Sequence, residues 1–495
     1  MTIGHFRRAV GRHIPSERQK EIMEKHIQLH EKQVKNLVPC QGKKLKVAIV
    51  GGGFAGLYTA YLLSKLNFKV TVFESLDRLG GRVHSLDHFS KCRIVEAGAE
   101  YIGLNHGAWL ALASKFGLGM IDVSSDTKLS KALKLQPNVV LNGKKLSPEK
   151  ATALTQEMNE VFDRIAIESK KIQYPNAPWL EPPEIQALDR ISTGEMLDRW
   201  GVKGEVRELF DVFYTNDNAG SAYKSSYLGD LCAVKGGSID GKTEEFYDIY
   251  QLFKCASGNQ ALAEELAKHT EGKIYLKTRV QKIRYNGKTF KVATSQGKHI
   301  FDRVVVSTPP SVWKYIEFSP QFSSKKYKPS LGPAIKYLTT VKERFWVQEG
   351  ISPNGLNDVI GEIWEASENQ SWVPGQGINL TVFAGGKYAD IALAKNKKKS
   401  QKIYNKELDK SFEGAFSPNL RYSEFYNHPE LPTIKTGYSF MGVGKATTVA
   451  KRDNFPLPEF DNKLFLAGEY TSTSFYGYME GALQSALRVA TQLSN

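Results

Sequence analysis

The sequence predicts an α/β fold, and three observations carry the prediction. Residues 47–74, VAIVGGGFAGLYTAYLLSKLNFKVTVFE, run from an apolar strand through a glycine turn and a helix into a second strand. Residues 303–310, RVVVSTPP, are another buried strand with a Pro-Pro stop. Residues 463–469, KLFLAGE, are a further apolar strand, followed by GYMEGA at 477–482 and a helix-like run to residue 493. The expected architecture is a Rossmann-like dinucleotide-binding domain assembled from residues 45–108, 245–318 and 440–495. It is interleaved with an α+β domain from residues 109–244 and 319–439. Residues 1–44 form an N-terminal helical extension.

The elements follow in order. PSERQ at residues 15–19 reads as a helix start, with Ser16 and Gln19 in capping-box spacing. Met23, Ile27, His30, Val34 and Leu37 then fall on one helical face. That stripe packs on the body of the protein or on a second subunit, which would make a homodimer; His30 on it reads as a packed residue. Residues 47–50 suit a buried parallel strand. Residues 57–66 read as a helix and residues 69–73 as the second strand, ending on Glu74. Residues 92–95 predict a strand beginning at Cys92. From 109 to 237 the pattern is helical and irregular, with proline punctuation over residues 175–183. Residues 214–231, YTNDNAGSAYKSSYLGDL, line an entrance or form a surface loop. Residues 273–280 and 282–285 read as strands, with a hairpin at Asn286-Gly287. Residues 359–363 and 378–383 read as strands, and residues 388–412 as helix.

The glycine turn has its own chemistry. Gly51, Gly53 and Gly56 stand in G-x-G-x-x-G spacing. Gly51 permits the tight turn, Gly53 lets the backbone approach a pyrophosphate, and Gly56 lets the helix pack closely on the strand. The helix N-terminus offers unpaired N–H groups and a positive dipole end to that pyrophosphate. Glu74 stands where a carboxylate binds both ribose hydroxyls of an adenosine and repels a 2′-phosphate. A lone glycine motif is weak evidence; here strand, turn, helix, strand and acid occur in the required order. The next residues, DRLGGRV at 77–83, favour FAD over NAD. Gly80 and Gly81 suit a second close backbone approach, and Arg78 and Arg82 are candidate diphosphate partners, each alone equally readable as a surface charge. Gly468 and Glu469, with the glycines leading into the last helix, offer N–H groups to a polar cofactor edge.

GGGFAG with Glu74, then GGRV, LFLAGE and GYMEGA together resemble the flavin-containing amine oxidases, which include monoamine, polyamine and L-amino-acid oxidases. The resemblance covers residues 44–493 and is most specific at the two ends. It implies an FAD-binding domain and a substrate domain, with Gly51, Gly53, Phe54, Ala55, Gly56, Glu74, Ser75, Gly81, Arg82, Gly468, Glu469 and Met479 at the cofactor. CASGNQAL at residues 255–262 is similar to the family's glycine-rich turn, with Ser257 in place of one glycine. EAGAEY at residues 96–101 runs past the isoalloxazine in that family, which assigns Gly98, Ala99 and Glu100 to the flavin environment and turns Tyr101 to the substrate cavity. The backbone of Val280 would meet the adenine. Lys336, in GPAIKYLTTVKERFW, would hold a water near flavin N5, where a cation stabilises developing superoxide or peroxide. Tyr438 and Tyr478 would flank the path to the flavin face and favour an amine-bearing carbon.

Two departures sharpen the expectation. Monoamine oxidases carry a cysteine before the first cage tyrosine, linked covalently to the flavin; here that position is Gly437, so non-covalent FAD is implied. Snake-venom-type L-amino-acid oxidases place a carboxylate-clamping arginine where Tyr101 stands. The implied activity is oxidative deamination of a small-molecule amine with O2, giving an imine, then a carbonyl product, ammonia and hydrogen peroxide. L-amino-acid oxidase is the main alternative, and a non-catalytic FAD-binding regulatory protein the distant one. No metal is implied.

Composition agrees. The 495 residues suit two or three domains, and a hydrophobic fraction of 41% suits a globular protein. Four cysteines (Cys40, Cys92, Cys232, Cys255) show no paired spacing and read as reduced thiols. The net charge of +15, from 67 basic and 52 acidic residues, is spread along the chain and reads as a solubility feature, with no nucleic acid partner expected. Its densest run, KNKKKSQK at residues 395–402, is a solvated helix face or loop. No secretory signal is evident, and no apolar tail like that of the mitochondrial monoamine oxidases follows the last helix. Residues 47–66 are apolar enough to mimic a membrane span, but their four glycines favour the strand–turn–helix reading. A soluble, cytoplasmic protein without a membrane partner is expected.

Overall fold

A computed structural model describes Arg7 and residues 14–90, 93–123, 132–321, 329–367, Gln370, 377–393 and 396–494. At its centre lies a five-stranded parallel sheet in the order Leu464–Leu466, Arg303–Val306, Lys46–Val50, Lys69–Phe73, Gly272–Tyr275. Alternate residues of these strands face opposite layers. Val47, Ile49, Val70 and Val72 meet the helices Phe54–Lys65, Gln260–Lys268 and Met479–Ser494. Ala48, Val50, Phe73 and Val304 meet a four-stranded sheet built on Val280–Tyr285 and Phe290–Thr294. Both faces are covered over the inner strands, which is why these read as nearly continuous apolar runs, whereas the edge strand Gly272–Tyr275 is exposed over its first two residues.

The second sheet has seven strands, in the order Leu420–Tyr426, Ala334–Val341, Ile378–Gly385, Gly361–Glu365, Ile351–Asn357, Gln136–Leu141, Lys144–Lys145. One face packs on helices that include Pro148–Glu168 and Gly204–Asn218. The other face turns to the parallel sheet and carries the site. Of its seven strands, the sequence predicted only those near residues 359–363 and 378–383. QPNVVL and ISPNGLN contain Pro, Asn and Gly, which read as turns, yet they pair with each other in parallel.

Several expectations need correction. The N-terminal helix spans Ser16–Lys35 with Pro15 at its cap, so Ser16 is already helical and makes no capping box; Gln19 instead donates to the Ile14 carbonyl at 2.8 Å. The stripe packs on the chain's own body, beside the helix Gly107–Phe116. The residues at its centre are Ile22, His26 and His30, and His30 Nε2 lies 2.8 Å from the Tyr58 hydroxyl. The strand expected over 273–280 stops at Tyr275. There the chain turns beneath Glu74, with the Thr278 N–H donating to the Glu74 carbonyl. Residues 388–412 hold two helices, Lys387–Leu393 and Lys397–Ser411, the second capped by the Asn396 side chain. Residues 214–231 are not a surface loop. They comprise the end of one buried helix, a left-handed turn at Ala219, and the start of the helix Tyr227–Gly236.

The strand expected from residue 92 spans Arg93–Glu96. Cys92 itself, like Lys395 of the basic run, lies outside the described residues, whereas Lys397, Lys398 and Lys399 are exposed on their helix. Cys40, Cys232 and Cys255 are free thiols. Among the described residues, no helix is long and apolar enough to cross a membrane.

Candidate active site

A cavity of about 250 Å³ runs from the glycine turn to the site-bearing face of the seven-stranded sheet. At its first end stand Gly51, Gly53, Phe54, Ala55, Glu74 and Ser75. Gly51 has φ +114°, and a Cβ there would lie 2.8 Å from Ser307 Oγ. Gly56 sits behind the wall; its Cβ would lie 2.1 Å from the Gly51 carbonyl, so only glycine lets the helix start this close. At Gly53 the nearest atom to a Cβ is the Gly80 carbonyl, 3.8 Å away, so the backbone stands open to the cavity. The second glycine pair closes on the first: the Gly80 N–H donates to the Gly52 carbonyl at 2.9 Å, and Gly81 reaches the cavity wall. Glu74 is held by the N–H groups of Gly52 (2.6 Å) and Leu76 (2.7 Å). The exposed glycine backbone, the helix N-terminus and the anchored carboxylate fit a dinucleotide.

The two arginines separate. Arg78 spends its guanidinium on the carbonyls of Leu79, Gly81 and Val83 and does not reach the cavity, so it braces the loop and is not a diphosphate partner. Arg82 does reach it, donating to the Gly437 carbonyl at 3.0 Å and to Glu469 Oε1 at 2.7 Å. Glu469 also accepts from the Ser439 hydroxyl and the Gly477 N–H, so this pair ties three distant segments together. Gly468 and Met479 line the cavity beside it. Val280 does not. It lines a smaller neighbouring cavity that shares Gly51, Ser75 and Thr308 with the main one.

Gly98, Ala99, Glu100 and Tyr101 form one wall. A Cβ at Gly98 would lie 2.0 Å from the Arg82 carbonyl, which explains the small residue. Glu96, unnoticed in the sequence, anchors this wall: it accepts from Ser85 Oγ and the Asn259 N–H, and burial pushes its carboxyl up to about 7. Lys336 is buried on the strand Ala334–Val341 and ion-paired to Glu100 at 2.5 Å. Burial alone would raise the Glu100 carboxyl, but the ammonium groups of Lys254 and Lys336 outweigh it and hold it at about 2.

Strand register brings further residues to the cavity. Lys336 pairs with Phe383, and Phe383 pairs with Glu362, so the three share one row and one face. Glu362 stands two strand spacings from Lys336, roughly 10 Å. Tyr438 lies nearly parallel to Phe383, ring centroids 6.4 Å apart, and donates its hydroxyl to the carbonyls of Asn216 and Asp217. Tyr478 meets Tyr250 and His106 edge-on and receives a hydrogen bond from Gln251 Nε2 at 3.4 Å. Gly477, at φ +79° and with Tyr438 3.0 Å from where its Cβ would be, lets the two tyrosines close on one space. Asp217 and Glu362 complete the far end; burial raises Asp217 to about 6 and Glu362 to about 8. Neither was singled out in the sequence. The available signal for Glu362 was its place in GEIWE, where it shares a strand face with Trp364.

Gly437 has no room for a side chain. A Cβ there would lie 2.5 Å from the Ala334 nitrogen and 2.6 Å from its Cβ. No thiol stands at this position to bond a flavin.

Comparison with known proteins agrees with this geometry. A profile described as flavin containing amine oxidoreductase matches residues 54–494. A flavin-containing amine oxidase of Oncorhynchus mykiss is 23% identical over 463 residues, spanning 90% of this chain and 85% of that protein. A probable flavin-containing monoamine oxidase A of Dictyostelium discoideum is 24% identical over 460 residues, spanning 91% and 97%. Among solved structures, putrescine oxidase bound to putrescine superposes with TM-score 0.74 at 19% identity, covering 91% of this chain and 99% of that one. Cyclohexylamine oxidase from Brevibacterium oxydans IH-35A gives TM-score 0.74 at 20% identity, with the same two shares.

Proposed function

The chain belongs to the flavin-containing amine oxidoreductase family and is an amine oxidase whose cofactor is non-covalent FAD; from that premise we propose oxidative deamination of an amine that carries a second cationic nitrogen. The observation that supports this reading is the charge of the cavity wall. Its lysine and arginine, Lys336 and Arg82, are already paired with Glu100 and Glu469. The other end holds Asp217, Glu362 and the acceptor oxygen of Gln251. An ammonium group has three donors and no acceptor, which suits such a set; a substrate carboxylate finds no arginine clamp among the described residues. The solved putrescine oxidase of this fold holds a diamine.

FAD, when bound, supplies the redox chemistry, taking a hydride equivalent from the amine-bearing carbon and passing the two electrons to O2 to give hydrogen peroxide. Amine, O2 and water thus yield a carbonyl compound, ammonia and hydrogen peroxide. The protein's part is positioning. Gly51, Gly53, Phe54 and Ala55 hold the pyrophosphate, Glu74 and Ser75 the ribose, and Val280 the adenine side. Gly81, Arg82, Gly98, Ala99, Gly468, Glu469 and Met479 shape the flavin seat. Tyr438 and Tyr478 sandwich the reacting carbon and exclude water, and Tyr101 closes the side. Glu362 and Asp217 hold the distal ammonium. Lys336 presents its cation to the flavin edge.

Anaerobic mixing of the holoenzyme with monoamines, diamines, polyamines and L-amino acids, followed by oxygen, tests the reading. Flavin bleaching by amines, fastest with diamines, and peroxide on aeration are expected. Bleaching by amino acids alone would overturn it.

A further inference from the structure

Among the described residues, the N-terminal extension adds nothing to the wall of the main cavity. It grips a segment that does, residues 240–252. Arg7 is fully buried, and its guanidinium meets two carboxylates. Nε and Nη2 donate to the two oxygens of Asp248 at 2.7 and 3.1 Å, and Nη1 donates to Asp163 at 2.8 Å. Arg7 thereby ties the short helix Phe246–Ile249 to the long helix Pro148–Glu168. A second anchor lies nearer the solvent. Arg18 donates to Glu245 at 2.8 Å and to Asp240 at 3.1 Å, and Lys25 donates to Asp240 at 2.6 Å. Ile14 and Ile22 of the extension also share one apolar cluster with Ile249 and Leu252.

Ile249 and Leu252 flank the two residues that matter to the cavities. Tyr250 meets Tyr478 edge-on, ring centroids 6.3 Å apart. Gln251 lines the main cavity, and its Nε2 donates to the Tyr478 hydroxyl at 3.4 Å and to Asp217 Oδ1 at 3.5 Å. Its Oε1 is buried and has no hydrogen-bond partner among the described residues. A buried acceptor of this kind is costly unless a ligand donates to it, and an ammonium group is a donor. Gln251 also has φ +120°, which side chains rarely adopt. Such strain persists only where the surroundings over-determine it. Here the extension holds the helix before Gln251 by charge and both of the flanking apolar side chains by packing.

We infer that the N-terminal extension is a positioning element for Gln251, with Arg7 as its buried anchor, and that it sets the preference of the cavity for a substrate with a second nitrogen. The inference rests on the reading of the cavity's far end as the site of the distal ammonium. Arg7 is not part of the cavity wall; it acts by fixing the helix that leads into Gln251.

The test uses holoenzyme with Arg7→Met, Arg7→Lys, Gln251→Ala and the double variant Arg7→Met/Gln251→Ala. Amide hydrogen exchange, followed by mass spectrometry, reads the clamp without substrate. Residues 246–253 should exchange about tenfold faster in Arg7→Met, while residues 303–306 of the parallel sheet keep their protection. The ratio of kcat/KM for a diamine to that for the monoamine of equal chain length reads the consequence. Arg7→Met is expected to cut this ratio about fivefold, through KM for the diamine, with the limiting rate of flavin reduction by the monoamine little changed. Arg7→Lys, which can pair with one carboxylate at a time, falls between. Gln251→Ala lowers the ratio by as much or more, and the double variant goes no lower than Gln251→Ala, because Arg7 acts through Gln251. An unchanged ratio in Arg7→Met overturns the inference. So do lesions whose effects multiply, or an equal loss on both amines, which marks a merely structural role. If Arg7→Met gives no stable holoenzyme, Arg18→Met, at the outer anchor, is measured in its place and judged by the same outcomes. If no amine reduces the wild-type flavin, the amine oxidase reading falls, and exchange alone decides the clamp: faster local exchange in Arg7→Met supports it and unchanged exchange overturns it.

Discussion

Gly437 and Glu362 show how much rests on single residues. At Gly437 the Ala334 backbone fills the space a side chain would need, so a cysteine cannot be accommodated without displacing that strand. Acid precipitation of the holoenzyme is therefore expected to release all of its FAD into the supernatant; flavin retained in the pellet would contradict the non-covalent assignment. At Glu362, burial raises the carboxyl to about 8, so it is mostly protonated at neutral pH. A bound ammonium favours the ionised form. The diamine-to-monoamine ratio of kcat/KM should rise between pH 6 and 8, and Glu362→Gln should flatten that rise and cut the ratio about tenfold. Equal loss on both substrates would assign Glu362 a packing role. Comparing the ratio, and not the rate, removes the titration of the reacting amine, which both substrates share.

At the scale of elements, the turn between strand and helix is a tight constraint. The helix Phe54–Lys65 begins against the Gly51 carbonyl, and Gly56 makes the contact. Gly56→Ala places a methyl 2.1 Å from that oxygen, so the helix must move off the sheet. A loss of about 1–3 kcal/mol is expected, with weakened FAD retention, read by thermal unfolding and by flavin content after dialysis. Full retention of both would mean the helix tolerates displacement. The seven-stranded sheet works differently. Its register sets the row Lys336, Phe383, Glu362, so that cation, ring and acid share one cavity wall. A one-residue slip in either pairing would turn these side chains to the helical face.

Across the whole molecule, buried titratable groups set the pH dependence of stability. Burial lowers His26, His30 and His84 to about 4, and His106 and His428 to about 3. These bind fewer protons folded than unfolded, so they make stability rise with pH up to about 6.5. Burial raises Glu96 and Glu480 to about 7, and Glu362 and Asp453 to about 8. These bind more protons folded than unfolded, so they make stability fall as pH rises toward 8. Above pH 6.5 only the acids still act, and the thermal midpoint should decline between pH 6.5 and 8.5. Glu480 caps the helix Gly107–Phe116 through the N–H groups of Ala108 and Trp109, away from the cavity. Glu480→Gln is expected to make the decline shallower. A midpoint that rises over this range would refute the assignment of neutral buried acids.

Consecutive residues were enough to identify the dinucleotide site. Strand, turn, helix and terminal acid are written within residues 47–74, and the turn geometry depends on near neighbours, so Gly51, Gly53, Gly56 and Glu74 were legible in the sequence. The parallel strands were legible for a related reason: burial on both faces leaves an unbroken apolar run. Arg78 and Arg82 look alike in sequence, and only folding shows that one braces its loop and the other reaches Glu469 across 387 residues. Asp217 lies at the end of a helix whose polar appearance suggested a loop. Glu362 faces the cavity through strand register. Lys254 and Lys336 meet at Glu100, each from more than a hundred residues further along the chain than that carboxylate. Local pattern determines which segments can form strands and helices, because the forces involved act between neighbours. The partners of a buried charge are settled by which segments the packed core brings together, and that decision belongs to the tertiary structure.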